Sequence, residues 1–279
     1  VFRRAPVHEL TTDEVHALCV RYGQVAAWAR EAGYDGIQLA SSNAKLIDQF
    51  VSPFWNRRTD EFGGSPDGRA RLLEVIRRRI GERAGWDFTC TVKVPVGEKA
   101  PPFAPRTTWD EGLRLAQRCE EWGYDSVTPV EVSVFPDTTL SRGGIPASIW
   151  RNRAIAERFR TAAPRAFERR VIEAGYVAGG VTSPFRPVWN RSRFQAVKRL
   201  VAIPVLAVGG IRTAAEVNDI VDSGDADLVG MGRPFYAEAD LAAHKRALAA
   251  GPAALRKKSP ADELPGVWDL IAQAVEAAQ

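Results

Sequence analysis

The chain has 279 residues, enough for one large α/β barrel or two small domains. Hydrophobic residues make up 45%, charged residues 26%, and the net charge is +4, an ordinary globular composition whose arginines are spread along helices rather than gathered into a nucleic-acid-binding tail. No apolar stretch is long enough to span a bilayer, and VFRRAPVHEL lacks the apolar core of a secretory leader. Cys19, Cys90 and Cys119 stand far apart in no metal-ligand spacing, so the expectation is core thiols, no metal and a reducing cytoplasm.

Thr11 to Ala32 reads as the first helix, capped by Thr11 or Thr12 and ended by Gly33. Tyr34 to Ala40 reads as a strand, and Ser41 to Asp60 as a loop with a short helical turn. A helix is expected over Arg69 to Glu82, a β-branched strand over Phe88 to Val94, a helix over Thr108 to Trp122 and a strand over Asp125 to Val134. Strand and helix alternate at roughly 35 to 40 residues per unit, which argues a parallel sheet with crossover helices. The stretch 135–196 breaks that rhythm and is expected to be an excursion with its own helices over one face. A helix resumes over Arg193 to Val201, and two further helices are expected over Leu241 to Ala250 and Val267 to Ala278.

Between them lies PVLAVGGIRTAAEVNDIVDSGDADLVGMGRPF, read as strand 203–208, helix 214–222 capped by Thr213 with Glu216, and strand 227–231. The strands end in Gly209-Gly210 and Gly232-Arg233. In a (β/α)8 barrel, phosphate sits on the loops after strands 7 and 8, and glycine lets backbone N–H groups approach it. The alternative is that these glycines only make tight turns. Five strands are legible, three fewer than a closed eight-stranded barrel needs.

Four further groups stand out. Lys93 is a lone charge inside an apolar strand, costly unless paired; the alternative is an outward-facing lysine on an edge strand. Asn43 and Lys45 follow the first strand, where each is either a ligand group or an ordinary loop residue. Glu131 and Ser133 close the third strand, and Arg142 and Trp150 follow in the long loop as pocket or fold residues. His8, His16 and His244 lie away from the expected strand ends, and no Ser-His-Asp arrangement is present.

The segment DQFVSP (Asp48 to Pro53) followed by NRRTDEFGGS (Asn56 to Ser65), together with AVGGIRTAAEV and DLVGMGRPF, resembles the Old Yellow Enzyme family of FMN-dependent NAD(P)H oxidoreductases. The resemblance spans about residues 6 to 245 and is weakest over 135–196. It implies a single (β/α)8 TIM barrel domain over 1–279, in which the five strands are strands 4 to 8 and strands 1 to 3 are missing from this chain. The missing strands would come from another polypeptide, or the chain would be a fragment of a longer product; either way association is expected, with no nucleic-acid or membrane partner. FMN is the implied cofactor and NAD(P)H the reductant. Gly209, Gly210, Gly232 and Arg233 would hold the FMN phosphate, and Lys93 would face the flavin N1 and O2. The substrate would be a small conjugated carbonyl. The family's substrate clamp is H-x-x-N or H-x-x-H followed two residues later by Tyr. Here Asn43 is kept, while Ala40 stands at the His position and Lys45 at the Tyr position. Asn43 and Lys45 would orient the substrate, with Ala40, Glu131, Ser133 and Arg142 lining its pocket. Arg57, Asp60 and Arg69 match a loop that is mainly structural in the family. Two other readings accompany this one: a catalytically degenerate barrel subunit that pairs with another flavin barrel, and a non-redox lyase or isomerase using Lys45.

Overall fold

A computed structural model describes residues 8–42, 45–100, 102–133, 142–143 and 152–237. Helix α1 spans Thr12–Glu31. Thr11 caps it: its hydroxyl accepts from the Glu14 N–H at 3.2 Å, and the Glu14 carboxylate accepts from the Thr11 N–H at 2.7 Å. That capping box satisfies two otherwise orphaned donors. Strand β1 follows over Gly36–Leu39, then a short helix α2 over Leu46–Val51, where a helical turn was expected. Helix α3 covers Pro66–Ala84, starting earlier than the sequence pattern suggests because Ser65 caps it and Pro66 occupies its first turn. Strand β2 (Thr89–Lys99), helix α4 (Trp109–Glu121) and strand β3 (Ser126–Ser133) come next. The excursion contributes α5 (Arg153–Ala162) and α6 (Ala166–Thr182), where Phe167, Val171, Val177 and Val181 are exposed. Helix α7 (Arg191–Lys198), strand β4 (Leu206–Val208), helix α8 (Ala214–Asp222), strand β5 (Leu228–Gly230) and a short α9 (Arg233–Ala237) complete the described elements. The capping box expected at Thr213 and Glu216 is present. The helices expected over 241–250 and 267–278 lie outside the described residues.

The strands run parallel in chain order. β1, β2 and β3 pair in register Gln38 to Thr91 and Lys93 to Thr128, and β4 pairs with β5 through Ala207 and Val229. The two ladders meet at Val127 and Val205, with the Val127 N–H donating to the Pro204 carbonyl at 3.1 Å. β2 continues past the expected end at Val94. Its register shifts between Pro95 and Glu98, where proline has no N–H to give and Gly97 turns with φ 75°. The Glu98 N–H is taken instead by the Thr107 carbonyl at 2.9 Å.

The core lies between the sheet and α1, α3 and α4. Cys90, Val92 and Val94 of β2 are fully buried there with Val15, Cys19, Leu73, Ile76 and Cys119. Helix α4 approaches β2 so closely that a Cβ on Gly112 would stand 2.6 Å from the Pro95 carbonyl oxygen. All three cysteines are free and buried, as expected. Burial pushes the Cys19 thiol up to about 11 and the Cys90 thiol up to about 12, so neither is a thiolate at neutral pH.

The motif loop is built to hold itself. Arg58, rather than Arg57, pairs with Asp60 at 2.5 and 2.9 Å, and Asp60 also accepts from Thr12 Oγ1 at 2.6 Å and the Phe62 N–H at 3.2 Å. Asn56 Nδ2 donates to the Phe50 and Phe62 carbonyls at 2.6 and 2.7 Å. Arg69, mostly buried, donates to the Val51 and Gly64 carbonyls at 2.9 Å each and pairs with Glu111 at 3.2 Å. The Arg58 guanidinium holds the Asp60 carboxyl at about 2, below its ordinary 3.8. A depressed folded-state pKa adds stability above 3.8 that is lost as pH falls through about 2. Asp60→Asn is therefore expected to cost about 1–2 kcal/mol at neutral pH. In urea melts across pH 2 to 5 the variant should lose less stability on acidification than the parent.

Candidate functional site

One face of the sheet is polar. Gln38 and Thr91 share a register position, as do Lys93 and Thr128, and Gln38 Nε2 lies 3.4 Å from Thr128 Oγ1. Lys93 is half-buried in the middle strand of its ladder, so it is not an edge-strand lysine. It has no ion-pair partner among the described residues. A cation in that position is available to a negative group lying over the sheet.

At the end of β1, Ala40 is exposed, while Ser41 and Ser42 are buried. Ser41 Oγ is a buried hydroxyl with no hydrogen-bond partner among the described residues, a donor that the sequence reading passed over. Asn43 lies outside the described residues. Lys45 is exposed at the cap position of α2 and makes no side-chain cap bond, so the burial that favours a nucleophilic lysine is missing.

The ends of β4 and β5 carry the glycines. Gly209 and Gly210 have φ 114° and 81°, conformations that glycine adopts without strain. A Cβ on Gly209 would stand 2.6 Å from the Asn190 Cβ, and one on Gly210 would stand 2.7 Å from the Trp189 ring. Packing against Trp189-Asn190 therefore already requires this pair to be glycine. Gly232 differs, because nothing lies within 4 Å of its Cβ position. Beside it Arg233 is half-buried, and burial, together with the neighbouring Arg212, holds its guanidinium below the ordinary value. Arg212 stacks on the Phe185 ring at 3.6 Å. Neither arginine side chain has a carboxylate partner among the described residues. Two guanidiniums kept together without a counter-charge suit an anion such as a phosphate.

Asn190 joins the strands beneath that place. Its buried Nδ2 donates to the Pro129 carbonyl at 2.8 Å and the Val208 carbonyl at 2.9 Å, crossing from β3 to β4. At the ends of β2 and β3, Glu131 and Ser133 are buried. Glu131 takes Arg142 at 2.6 Å, Lys99 at 3.4 Å, and Arg193 of α7. Close by, Glu98 is buried and accepts Ser52 Oγ at 2.8 Å and the Thr107 N–H at 2.9 Å. Burial pushes the Glu98 carboxyl above its ordinary value, against the opposing pull of those hydrogen bonds and Arg69. Lys99, Arg193, Arg212 and Asn190 are the site residues that sequence reasoning missed. Arg142 was read as a pocket residue, and Trp150 lies outside the described residues. His8 and His16 pair with Glu14 and Glu61 at the surface, and His244 also lies outside the described residues. Among the described residues no group of three acidic, histidine or cysteine side chains could hold a metal, and no helix is long and apolar enough to cross a membrane.

The model of the NADH:flavin oxidoreductase / NADH oxidase family matches residues 2–104 and 164–248. Among curated proteins, the cinnamate reductase of Clostridium sporogenes is 26% identical over 234 residues, covering 84% of this chain and 31% of that protein. The NADH oxidase of Thermoanaerobacter brockii is 30% identical over 230 residues, covering 82% and 29%. The chain thus spans about a third of the length of these relatives. Among solved structures, a 2-naphthoyl-CoA reductase in complex with 2-naphthoyl-CoA superposes with TM-score 0.60 at 19% identity, covering 90% of this chain and 31% of that one. The old yellow enzyme homologue of Zymomonas mobilis superposes with TM-score 0.57 at 19% identity, covering 91% and 59%. At such identities the likeness concerns the fold, which is that of the TIM-barrel enzymes of the old yellow enzyme type.

Proposed function

Because the chain belongs to the NADH:flavin oxidoreductase / NADH oxidase family, we propose that it acts as an FMN-dependent oxidoreductase on a small conjugated carbonyl compound, with NADH or NADPH as reductant. When bound, FMN supplies the hydride relay between nicotinamide and substrate. The observation that carries this reading is the pair Arg212 and Arg233, without a carboxylate partner among the described residues, at the C-terminal ends of the last two parallel strands. Ligands of open and closed α/β sheets gather at those strand ends.

Each residue then has a task. Arg233 and Arg212 hold the phosphate, with Gly232 leaving room for it. Lys93 offers its ammonium to the electron-rich edge of the flavin ring. Asn43 orients the substrate carbonyl, with Lys45 at its rim. Ala40 cannot donate a hydrogen bond, so part of the stabilisation of charge developing on the carbonyl oxygen must come from elsewhere. The hydroxyl of Ser41, buried and without a partner among the described residues, would be one such donor. The name cinnamate reductase, carried by one relative, fits a conjugated substrate.

The five strands stand in this proposal as barrel strands 4 to 8. β1 and β5 have no outer neighbour among the described residues, and a closed barrel requires further strands there, from more of the same polypeptide or from a partner. The exchange of the usual clamp histidine for Ala40 favours a second reading, a barrel subunit that binds flavin but does not turn over substrate.

The test is spectroscopic. The purified chain should carry, or take up from solution, FMN with its visible flavin absorption. NADPH or NADH should bleach that absorption, and a conjugated carbonyl such as cinnamaldehyde should restore it. A colourless chain that does not take up added FMN refutes the oxidoreductase reading. Flavin that binds but is not reoxidised by any conjugated carbonyl selects the second reading.

A further inference from the structure

The cluster around Glu131 carries more positive charge than it can neutralise. Glu131 is 6% exposed, and its two carboxylate oxygens meet three cations, Lys99, Arg142 and Arg193. Among the described residues, one negative charge against three positive leaves a surplus of two. The guanidinium side chains are only 15% and 14% exposed, whereas Lys99 is 36% exposed and marks the open side. Uncompensated charges at that depth are costly, and a second anion would offset the cost.

The surroundings say what kind of anion. The Arg142 guanidinium lies over the Trp189 ring at 4.6 Å and that of Arg193 over the Trp109 ring at 5.6 Å. Two indoles thus border the cluster. Arg142 Nε and Trp189 Nε1 are buried donors without partners among the described residues. Arg193 Nε is already committed to the Val96 carbonyl at 2.8 Å, which fixes its fork. Planar guanidiniums match the two oxygens of a carboxylate, and flat aromatic walls match an aryl or enoyl group. The cluster sits at the C-terminal ends of β2 and β3, the ligand-binding end of a parallel sheet.

We propose that Lys99, Arg142 and Arg193 form a carboxylate subsite, separate from the phosphate place at Arg212 and Arg233, that recognises a small unsaturated organic acid. That the acid is a substrate rests on the oxidoreductase reading; that a carboxylate binds does not.

The test uses the full chain and its own tryptophans, since Trp189 and Trp109 touch the arginines concerned. Intrinsic fluorescence is titrated with benzoate, benzamide and inorganic phosphate, with and without added FMN. Benzoate should change the emission saturably in both states, and benzamide should not. Lys99→Met and Arg142→Met should each weaken benzoate about tenfold, the loss of one charge-assisted contact. Glu131→Gln removes the internal competitor and should bind benzoate more tightly than the parent. The proposal is overturned if benzamide binds as well as benzoate, if Lys99→Met and Arg142→Met leave benzoate unchanged, if Glu131→Gln weakens it, or if phosphate displaces benzoate at concentrations below the benzoate dissociation constant. Selective benzoate binding by a chain that never takes up FMN would refute the flavin reading and leave this subsite standing. FMN uptake without benzoate selectivity would do the reverse.

Discussion

Arg233→Ala is expected to raise the dissociation constant for FMN about 10- to 100-fold. A charge-assisted hydrogen bond to phosphate contributes about 1.5–3 kcal/mol, and each 1.4 kcal/mol is a factor of ten in affinity. The side chain is half-buried, has no ion pair among the described residues and is set beside another cation, Arg212. Its surroundings therefore oppose its charge unless an anion is present. Removing it should leave the unliganded fold as stable as before, within about 0.5 kcal/mol, or slightly more stable because the repulsion with Arg212 is relieved. Riboflavin supplies the control. It has the flavin ring and no phosphate, so the parent and the variant should bind it alike. Titration of flavin fluorescence measures both ligands. An unchanged FMN constant in Arg233→Ala would remove the phosphate from this place, and an equal loss for FMN and riboflavin would point to damage of the fold instead.

What sequence could show of this site depends on how local each signal is. Thr213 and Glu216 stand three residues apart, and their capping box forms as read because both partners belong to one turn. Alternating strands and helices came through for the same reason, and so did the role of Cys90 and Cys119 as core residues. Boundaries failed where a single residue overrides a pattern. Pro66 draws α3 backward to its cap, and Gly97 lets β2 run on past a register shift that a period-two reading treats as an end. The structural loop around Asp60 was legible as a motif, but a motif does not say which of two adjacent arginines turns inward, and it is Arg58 rather than Arg57 that pairs with Asp60. Lys99, Glu131, Arg142 and Arg193 come from two strands, a loop and a helix. No spacing links them, so only the three-dimensional arrangement shows that three cations converge on one carboxylate. Asn190 is the sharpest case. In the structure it stands at the cap position of α7, yet it makes no side-chain cap bond, and its amide is spent between strands.

Asn190→Ala is accordingly expected to destabilise the chain by about 2–4 kcal/mol, more than a lost helix cap would. Two hydrogen bonds disappear, and the Pro129 and Val208 carbonyls are left to find new donors in a place where Asn190 itself is fully buried. A buried carbonyl without a partner costs about 1–3 kcal/mol, and this change takes a donor from two of them. The position matters because the paired part of the sheet is thin here: β3 and β4 are joined by the bridge at Val127 and Val205, and the amide of Asn190 carries the connection onward toward the strand ends. Asn190→Asp sharpens the test, since it keeps the shape, cannot donate when ionised and places an anion against two carbonyl oxygens. It should be no more stable than Asn190→Ala. The loss should also reach the ligand. Gly209 packs with its Cβ position 2.6 Å from the Asn190 Cβ, so loosening Asn190 frees the loop that leads into Arg212. Both variants should therefore bind FMN less tightly even at temperatures where they remain folded, and riboflavin should be weakened much less. Urea melts give the first result and flavin titrations the second. Stability within about 0.5 kcal/mol of the parent would mean that water takes over both carbonyls, and that the β3–β4 junction is held by its backbone bridge alone.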